Sequence, residues 1–199
     1  MPRLADIAIA SLALLVASPV LLVAALAIKL GSRGPVIYRS PRVGRGGARF
    51  ELRKLRTMRP GSDPVGVGVP VLGDDPRVTR AGRILRRLSL DELPNLVNVL
   101  RGEMSVIGPR PTVQVQVDRY SDRQRLRLAA RPGLTGWAQV NGRASLPWAE
   151  RIELDLWYIE HASARLDWRI LLASARMAIT GRGLYRGETG GWREPPTSR

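Results

Sequence analysis

Two adjacent carboxylates, Asp91 and Glu92, lie in the run Arg86-Arg87-Leu88-Ser89-Leu90-Asp91-Glu92-Leu93-Pro94. The arginines before them belong to a chain whose formal net charge is +15. A carboxylate can attack phosphorus or ligate a divalent cation, and neighbouring arginines can hold phosphate oxygens. The same residue types also cap helices. Ser89 with Glu92 fits a capping box. Asp91 as N-cap fits too, since Pro94 then falls in the first turn, where its missing N–H is not needed. Either way the pair marks a helix start, and local pattern leaves capping and chemistry both open.

Composition narrows the chemistry. The chain has 199 residues, no internal repeat and no cysteine. One domain of catalytic size is expected, without disulfides, thiolate catalysis or a cysteine zinc site. His161 is the only histidine, which argues against a histidine triad or metal cluster; it reads as a polar surface residue. Every lysine or arginine except Lys29 and Lys54 is arginine, the side chain suited to bidentate phosphate contacts. Such a charge suits nucleic acid, anionic lipid or phosphorylated substrates.

The elements that must hold the pair begin with an almost wholly apolar stretch, Ile7 to Ile28. About twenty helical residues cross a bilayer core. Lys29, Arg33, Arg39, Arg42 and Arg45 follow the stretch and place the main domain on the cytoplasmic side. Ser18-Pro19 lies mid-segment, where proline removes a donor and a serine hydroxyl can satisfy a freed backbone group. A kinked span and a helix-break-helix that dips into one leaflet are both open. Val36-Ile37-Tyr38 and Phe50-Glu51-Leu52-Arg53 read as short strands joined at Gly44-Arg45-Gly46-Gly47. Lys54 to Met58 carries basic groups inward, and Arg59 to Gly73 reads as a mobile loop.

Asp74-Asp75-Pro76 introduces a basic helix from about Val78 to Leu88, more as a cap than as a metal site. An apolar helix through Leu93, Leu96, Val97 and Leu100 ends at Arg101-Gly102. Gly108-Pro109-Arg110-Pro111 is a rigid loop presenting one arginine. Gln114 to Ala130 reads as one amphipathic helix. Arg131 to Trp137 reads as an irregular loop with an exposed tryptophan, suited with its arginine to a bilayer headgroup region. Gln139, Asn141 and Arg143 form a polar cluster around Gly142. Two helices follow, Trp148 to Glu160 and Asp167 to Ile179. Their aromatic and apolar residues, Trp157, Tyr158, Trp168 and Leu172 among them, read as core more readily than as a sugar platform. The fold class expected is α+β, mostly helical, with amphipathic interfacial helices around a compact catalytic core.

Asp75-Pro76-Arg77-Val78-Thr79-Arg80, Leu90-Asp91-Glu92-Leu93-Pro94, Gly108-Pro109-Arg110-Pro111 and the run from Arg131 to Arg143 appear in that order. Together they resemble the bacterial sugar transferases, the monotopic phosphoglycosyl transferases, over nearly the whole chain from Arg3 to about Ile179. With no further membrane helix ahead of it, the chain resembles the small, core-only members. The resemblance implies transfer of a sugar 1-phosphate from a UDP-sugar to polyprenyl (undecaprenyl) phosphate, with magnesium, to begin polysaccharide or glycoconjugate synthesis. It implies a re-entrant membrane helix over 1–33 broken at Ser18 and Pro19, a cytoplasmic-face catalytic domain over 34–180, and a flexible tail over 181–199. It places the protein at the bacterial inner membrane, against anionic lipids, and allows a homodimer. Asp91 matches the nucleophile and Glu92 the magnesium ligand. Lys54, Arg56, Arg86, Arg110 and Arg143 match basic positions around the substrate's phosphates and nucleotide. Gln139 and Asn141 belong to the same motif, and Asp155 matches an acid that either assists the site or forms a buried ion pair with arginine. Leu55 replaces the aromatic usual between Lys54 and Arg56, a change expected to alter packing. The alternative is a membrane-anchored, arginine-rich nucleic-acid-binding module, although no recognised nucleic-acid motif is visible.

Overall fold

A computed structural model describes residues 1–62, 75–142 and 146–180. The expected loop over 63–73, Asp74, Arg143 and the tail from 181 lie outside the described residues. The fold is mostly helical with two small sheets.

Helix α1, Arg3–Gly31, is long and apolar enough to cross a membrane. It runs as one helix through Ser18-Pro19, with Pro19 inside it. The reason is local. Pro19 cannot donate to the carbonyl of Leu15, four residues back. The Ser18 hydroxyl donates to that same carbonyl at 2.8 Å, and the helix continues.

Both ends of α1 dock on the rest of the chain. Near the N-terminus, Arg3 donates to the carbonyls of Val99 and Leu100, and buried Asp6 accepts from Ser105 Oγ and Val106 N, each at 2.8 Å. Near the C-terminus, Ala24 and Ile28 pack with Leu55 and Leu85. Between the docked ends, Leu12, Leu15, Val16, Val20, Leu22 and Val23 are exposed.

Strands β1 (Ile37–Val43) and β2 (Arg49–Leu55) form an antiparallel hairpin, longer than the two short segments expected. Phe50 and Leu52 are buried while Arg49 and Glu51 are exposed. The two-residue period places Lys54 on the face of Phe50 and Leu52. Helix α2, Arg80–Arg87, is capped by Thr79 Oγ1, which accepts from Gly82 N at 2.9 Å. Asp75 does not cap it; its carboxylate binds the Arg77 guanidinium.

Helix α3, Asn95–Arg101, ends on Gly102 in the left-handed conformation. Fully buried Asn98 ties it to β2: Asn98 Oδ1 accepts from Arg53 N, and its amide donates to Glu51 O and Glu103 Oε2. Strand β3, Ser105–Ile107, pairs in parallel with β4, Gly133–Thr135, so part of the expected irregular loop is a strand.

The helix expected from Gln114 to Ala130 is divided. Short helices α4 (Gln114–Val117) and α5 (Asp122–Arg125) precede a 3-10 turn over Leu126–Ala129. Ser121 starts a new helix through a capping box with Gln124, a stronger local signal than the apolar spacing. Helix α6, Trp137–Val140, leads to α7, Trp148–His161, and α8, Ala164–Thr180.

The main core joins α1, β2, α3, β3, α7 and α8 through Ala10, Leu52, Val99, Ile107, Tyr158 and Ile170. Burying each large aliphatic side chain there contributes about 1.5–3 kcal/mol. The aromatic stripe is only partly core: Trp137 packs against it and Tyr158 is inside it, but Trp168 and Leu172 on α8 are exposed.

Candidate active site

Asp91 and Glu92 occupy a 3-10 turn, Leu90–Glu92, between α2 and α3. Ser89 precedes it at φ 54°, the only non-glycine residue with positive φ among the described residues. That conformation costs an L-residue on the order of 1–2 kcal/mol. Neither capping assignment holds. Ser89 makes no cap bond, α3 begins after Pro94 without a side-chain cap, and the Glu92 carboxylate points elsewhere.

Glu92 Oε1 accepts from Lys54 Nζ at 2.6 Å and from Arg110 Nη2 at 2.8 Å. Its Oε2 has no partner among the described residues. Burial pushes the carboxyl up, but Arg110 and Lys54 outweigh it and hold Glu92 well below the usual carboxylate range. Asp91, half-buried beside it, makes no side-chain ion pair among the described residues. Burial pushes its carboxyl above the ordinary value; Glu92 adds to the shift, while Lys54 and Arg86 oppose it. One member of the pair is thus held by two cations, and the other is raised and uncommitted.

Tight backbone crossings set these positions. A Cβ on Gly133 would stand 2.1 Å from Gly108 N, and one on Gly136 would stand 2.2 Å from Gly108 O. Only glycine permits this crossing, which anchors the loop that carries Arg110. On the other side, Thr79 N donates to Thr57 O at 3.0 Å, and Arg86 Nε donates to Thr57 Oγ1 at 2.8 Å. Arg86 therefore acts on Asp91 through space.

Cations converge on Arg110. Arg42 and Arg151 are both held below the usual arginine range, by burial first and also by repulsion from Arg110. An anion entering here would relieve that repulsion.

Among the described residues, none of the other expected site residues bonds to the pair. Arg56 is buried and donates to the carbonyls of Ser32 and Arg33 and to Ser32 Oγ. It ties down the C-terminal end of α1. Gln139 is buried with neither amide atom partnered among the described residues, and Asn141 is exposed and donates to Trp137 O. Asp155 forms the buried ion pair that was one of its two expected roles. Its Oδ2 accepts from Arg127 Nε at 2.7 Å. Neither Arg127 nor Asn98 is conspicuous in the sequence. Arg127 sits between two leucines, and its partner lies 28 residues away. His161 is exposed, as expected, and stacks on Trp157.

A family model for bacterial sugar transferases matches residues 1–181. The chain belongs to the bacterial sugar transferase family. It is 47% identical, over 92% of its length, to 71% of the UDP-glucose:undecaprenyl-phosphate glucose-1-phosphate transferase of Caulobacter vibrioides. It is 39% identical, over 92% of its length, to 90% of the sugar transferase EpsL of Bacillus subtilis. It is also 42% identical, over 89% of its length, to 43% of the UDP-N-acetylgalactosamine-undecaprenyl-phosphate N-acetylgalactosaminephosphotransferase of Aeromonas hydrophila. For this transferase, membership displaces the nucleic-acid alternative.

Proposed function

We propose that this transferase moves a sugar 1-phosphate from a UDP-sugar to undecaprenyl phosphate through an acyl phosphate of Asp91, the step that opens polysaccharide synthesis. The observation that carries the proposal is the division within the pair, with Glu92 ion-paired and the Asp91 carboxylate uncommitted. In the first step an Asp91 oxygen attacks the β-phosphorus. The bond from that phosphorus to the bridging oxygen breaks, and UMP leaves with the electron pair. In the second step a phosphate oxygen of undecaprenyl phosphate attacks the same phosphorus, and the Asp91 carboxylate is released. The acceptor phosphate is already ionised at neutral pH, so no general base is required.

Glu92 suits a magnesium ion. Among the described residues no cluster of three or more acidic or histidine side chains could hold a metal. Magnesium is commonly held by one or two carboxylates together with substrate phosphates and water, and Glu92 Oε2 is a hard donor without a partner. When bound, the ion would neutralise diphosphate charge beside Lys54 and Arg110.

The membrane mode follows from α1. Its 29 residues measure about 43 Å, against about 30 Å for a hydrocarbon core. A spanning helix would put its ends on opposite faces, yet both ends dock on one domain. A helix bent at Pro19, where the backbone bond to Leu15 is lost, that enters and leaves on the cytoplasmic face fits both the docked ends and the exposed apolar middle. It would bring the site to the acceptor's headgroup.

UDP-glucose is the donor to try first, on the Caulobacter vibrioides relative's name. The test is intact-mass spectrometry of protein incubated with donor and magnesium but no acceptor. The expected result is a phosphosugar adduct that disappears on adding undecaprenyl phosphate and is absent from Asp91→Asn. Turnover by Asp91→Asn would falsify the nucleophile assignment.

A further inference from the structure

Arg110 belongs to two networks at once. Its guanidinium holds Glu92, while its backbone carbonyl accepts from Arg127 Nη2 at 2.7 Å. Arg127 is 4% exposed and Asp155 is 1% exposed. The Arg127 fork is fully directed: Nε goes to Asp155 Oδ2 at 2.7 Å, Nη1 to Tyr120 OH at 2.8 Å, and Nη2 to Arg110 O. The Arg127 guanidinium also lies 5.6 Å from the centre of the Trp148 ring. A buried ion pair adds little net stability compared with an apolar replacement. Three directed bonds from one planar cation do, however, define a position.

Resting on the reading of Arg110 as a substrate-side cation, we infer that Arg127, oriented by Asp155 and Tyr120, is a positioning residue for it. The Arg110 loop is anchored on one side by the Gly108–Gly133 crossing. Arg127 anchors it on the other, at Arg110 itself. Half of the Arg110 side chain is exposed, and it reaches Glu92 at the end of a long flexible stem. A shift of its backbone would carry the guanidinium off Glu92 Oε1. Arg127 acts only through Arg110 and never touches the reacting atoms.

The test is a double-mutant cycle in the full-length protein, reading kcat and KM for the nucleotide sugar alongside a thermal melt. Arg127→Lys keeps the charge but cannot make three planar bonds. It is expected to raise KM about tenfold, the scale of losing a charge-assisted hydrogen bond. Tyr120→Phe keeps the shape and removes one bond to the fork, so a rise of about threefold is expected. In an Arg110→Ala background neither change should raise KM further, because the group being positioned is gone. Equal effects with and without Arg110, or an unchanged KM in a folded Tyr120→Phe and Arg127→Lys, would overturn the positioning role. Wild-type kinetics in Arg110→Ala would instead overturn the reading of Arg110 itself. Should Arg127→Lys fail to fold, Tyr120→Phe alone decides by the same comparison.

Discussion

Two ionic centres lie side by side and share Arg110, yet they are built to opposite specifications. In the Lys54–Glu92–Arg110 centre the side chains are 22%, 25% and 50% exposed. In the Arg127–Asp155 centre they are 3% and 2% exposed. Water reaches the first, one Glu92 oxygen is unused, and the cations can transfer their bonds to an incoming phosphate at modest cost. The second is sealed, so its bonds cannot be exchanged without leaving a charge unpaired in a low-dielectric surrounding. An ion pair meant for binding must be open enough to break, whereas one meant for positioning must not break at all.

The largest effect expected from disturbing this arrangement is on the sealed side. Asp155→Ala should cost about 3–5 kcal/mol of stability by stranding Arg127, read by urea denaturation; a loss below about 1 kcal/mol would show the centre to be more hydrated than its burial implies. On the open side the balance reverses. Glu92→Gln should lower kcat/KM about a hundredfold and weaken its magnesium dependence, with a smaller loss of stability than Asp155→Ala because this centre is open to water. Unaltered metal dependence would remove Glu92 as a ligand.

A smaller effect belongs to Asp91. Its carboxyl is raised on folding, so its ionisation opposes folding. That cost is fully present above the raised value, shrinks as pH falls through it, and vanishes below the unfolded value. Asp91→Asn should therefore melt higher than the parent protein at neutral pH, with the gain fading on acidification; a gain that grows toward acid would contradict the raised direction. The smallest change is Glu51→Gln. It breaks the pair with Arg39, whose side chains are 61% and 56% exposed, and should move the melting temperature by about a degree or less.

Much of the arrangement was legible before any fold was known. The apolar stretch became α1, the hairpin turn fell where glycines cluster, and Gly102 closes α3 as its position suggested. Asp91 and Glu92 were legible as a pair but not in their division, because the residues that separate them, Lys54 and Arg110, lie 38 and 18 positions from Glu92. Arg56 is a different case. Two residues from Lys54, it is bonded to the end of α1, partners that lie more than twenty positions away and that no local pattern announces. The segment from Gln114 to Ala130 kept helical spacing but lost helical continuity, since Ser121 with Gln124 is a start signal that hydrophobic spacing overlooks. Trp168 and Leu172 have the spacing of core residues and are exposed, a pattern that one helix cannot distinguish from a face waiting for lipid.

By itself the sequence determined the local matters: where the long apolar helix lies, which turns demand glycine, and that a carboxylate pair stands among arginines. These follow from side-chain chemistry over a few neighbouring residues. Tertiary structure alone decided that Glu92 is held while Asp91 is not, that Arg56 secures a helix end, and that Arg127 reaches the backbone of Arg110. Those outcomes depend on which distant groups share a volume from which water is excluded, and no window of adjacent residues carries that information.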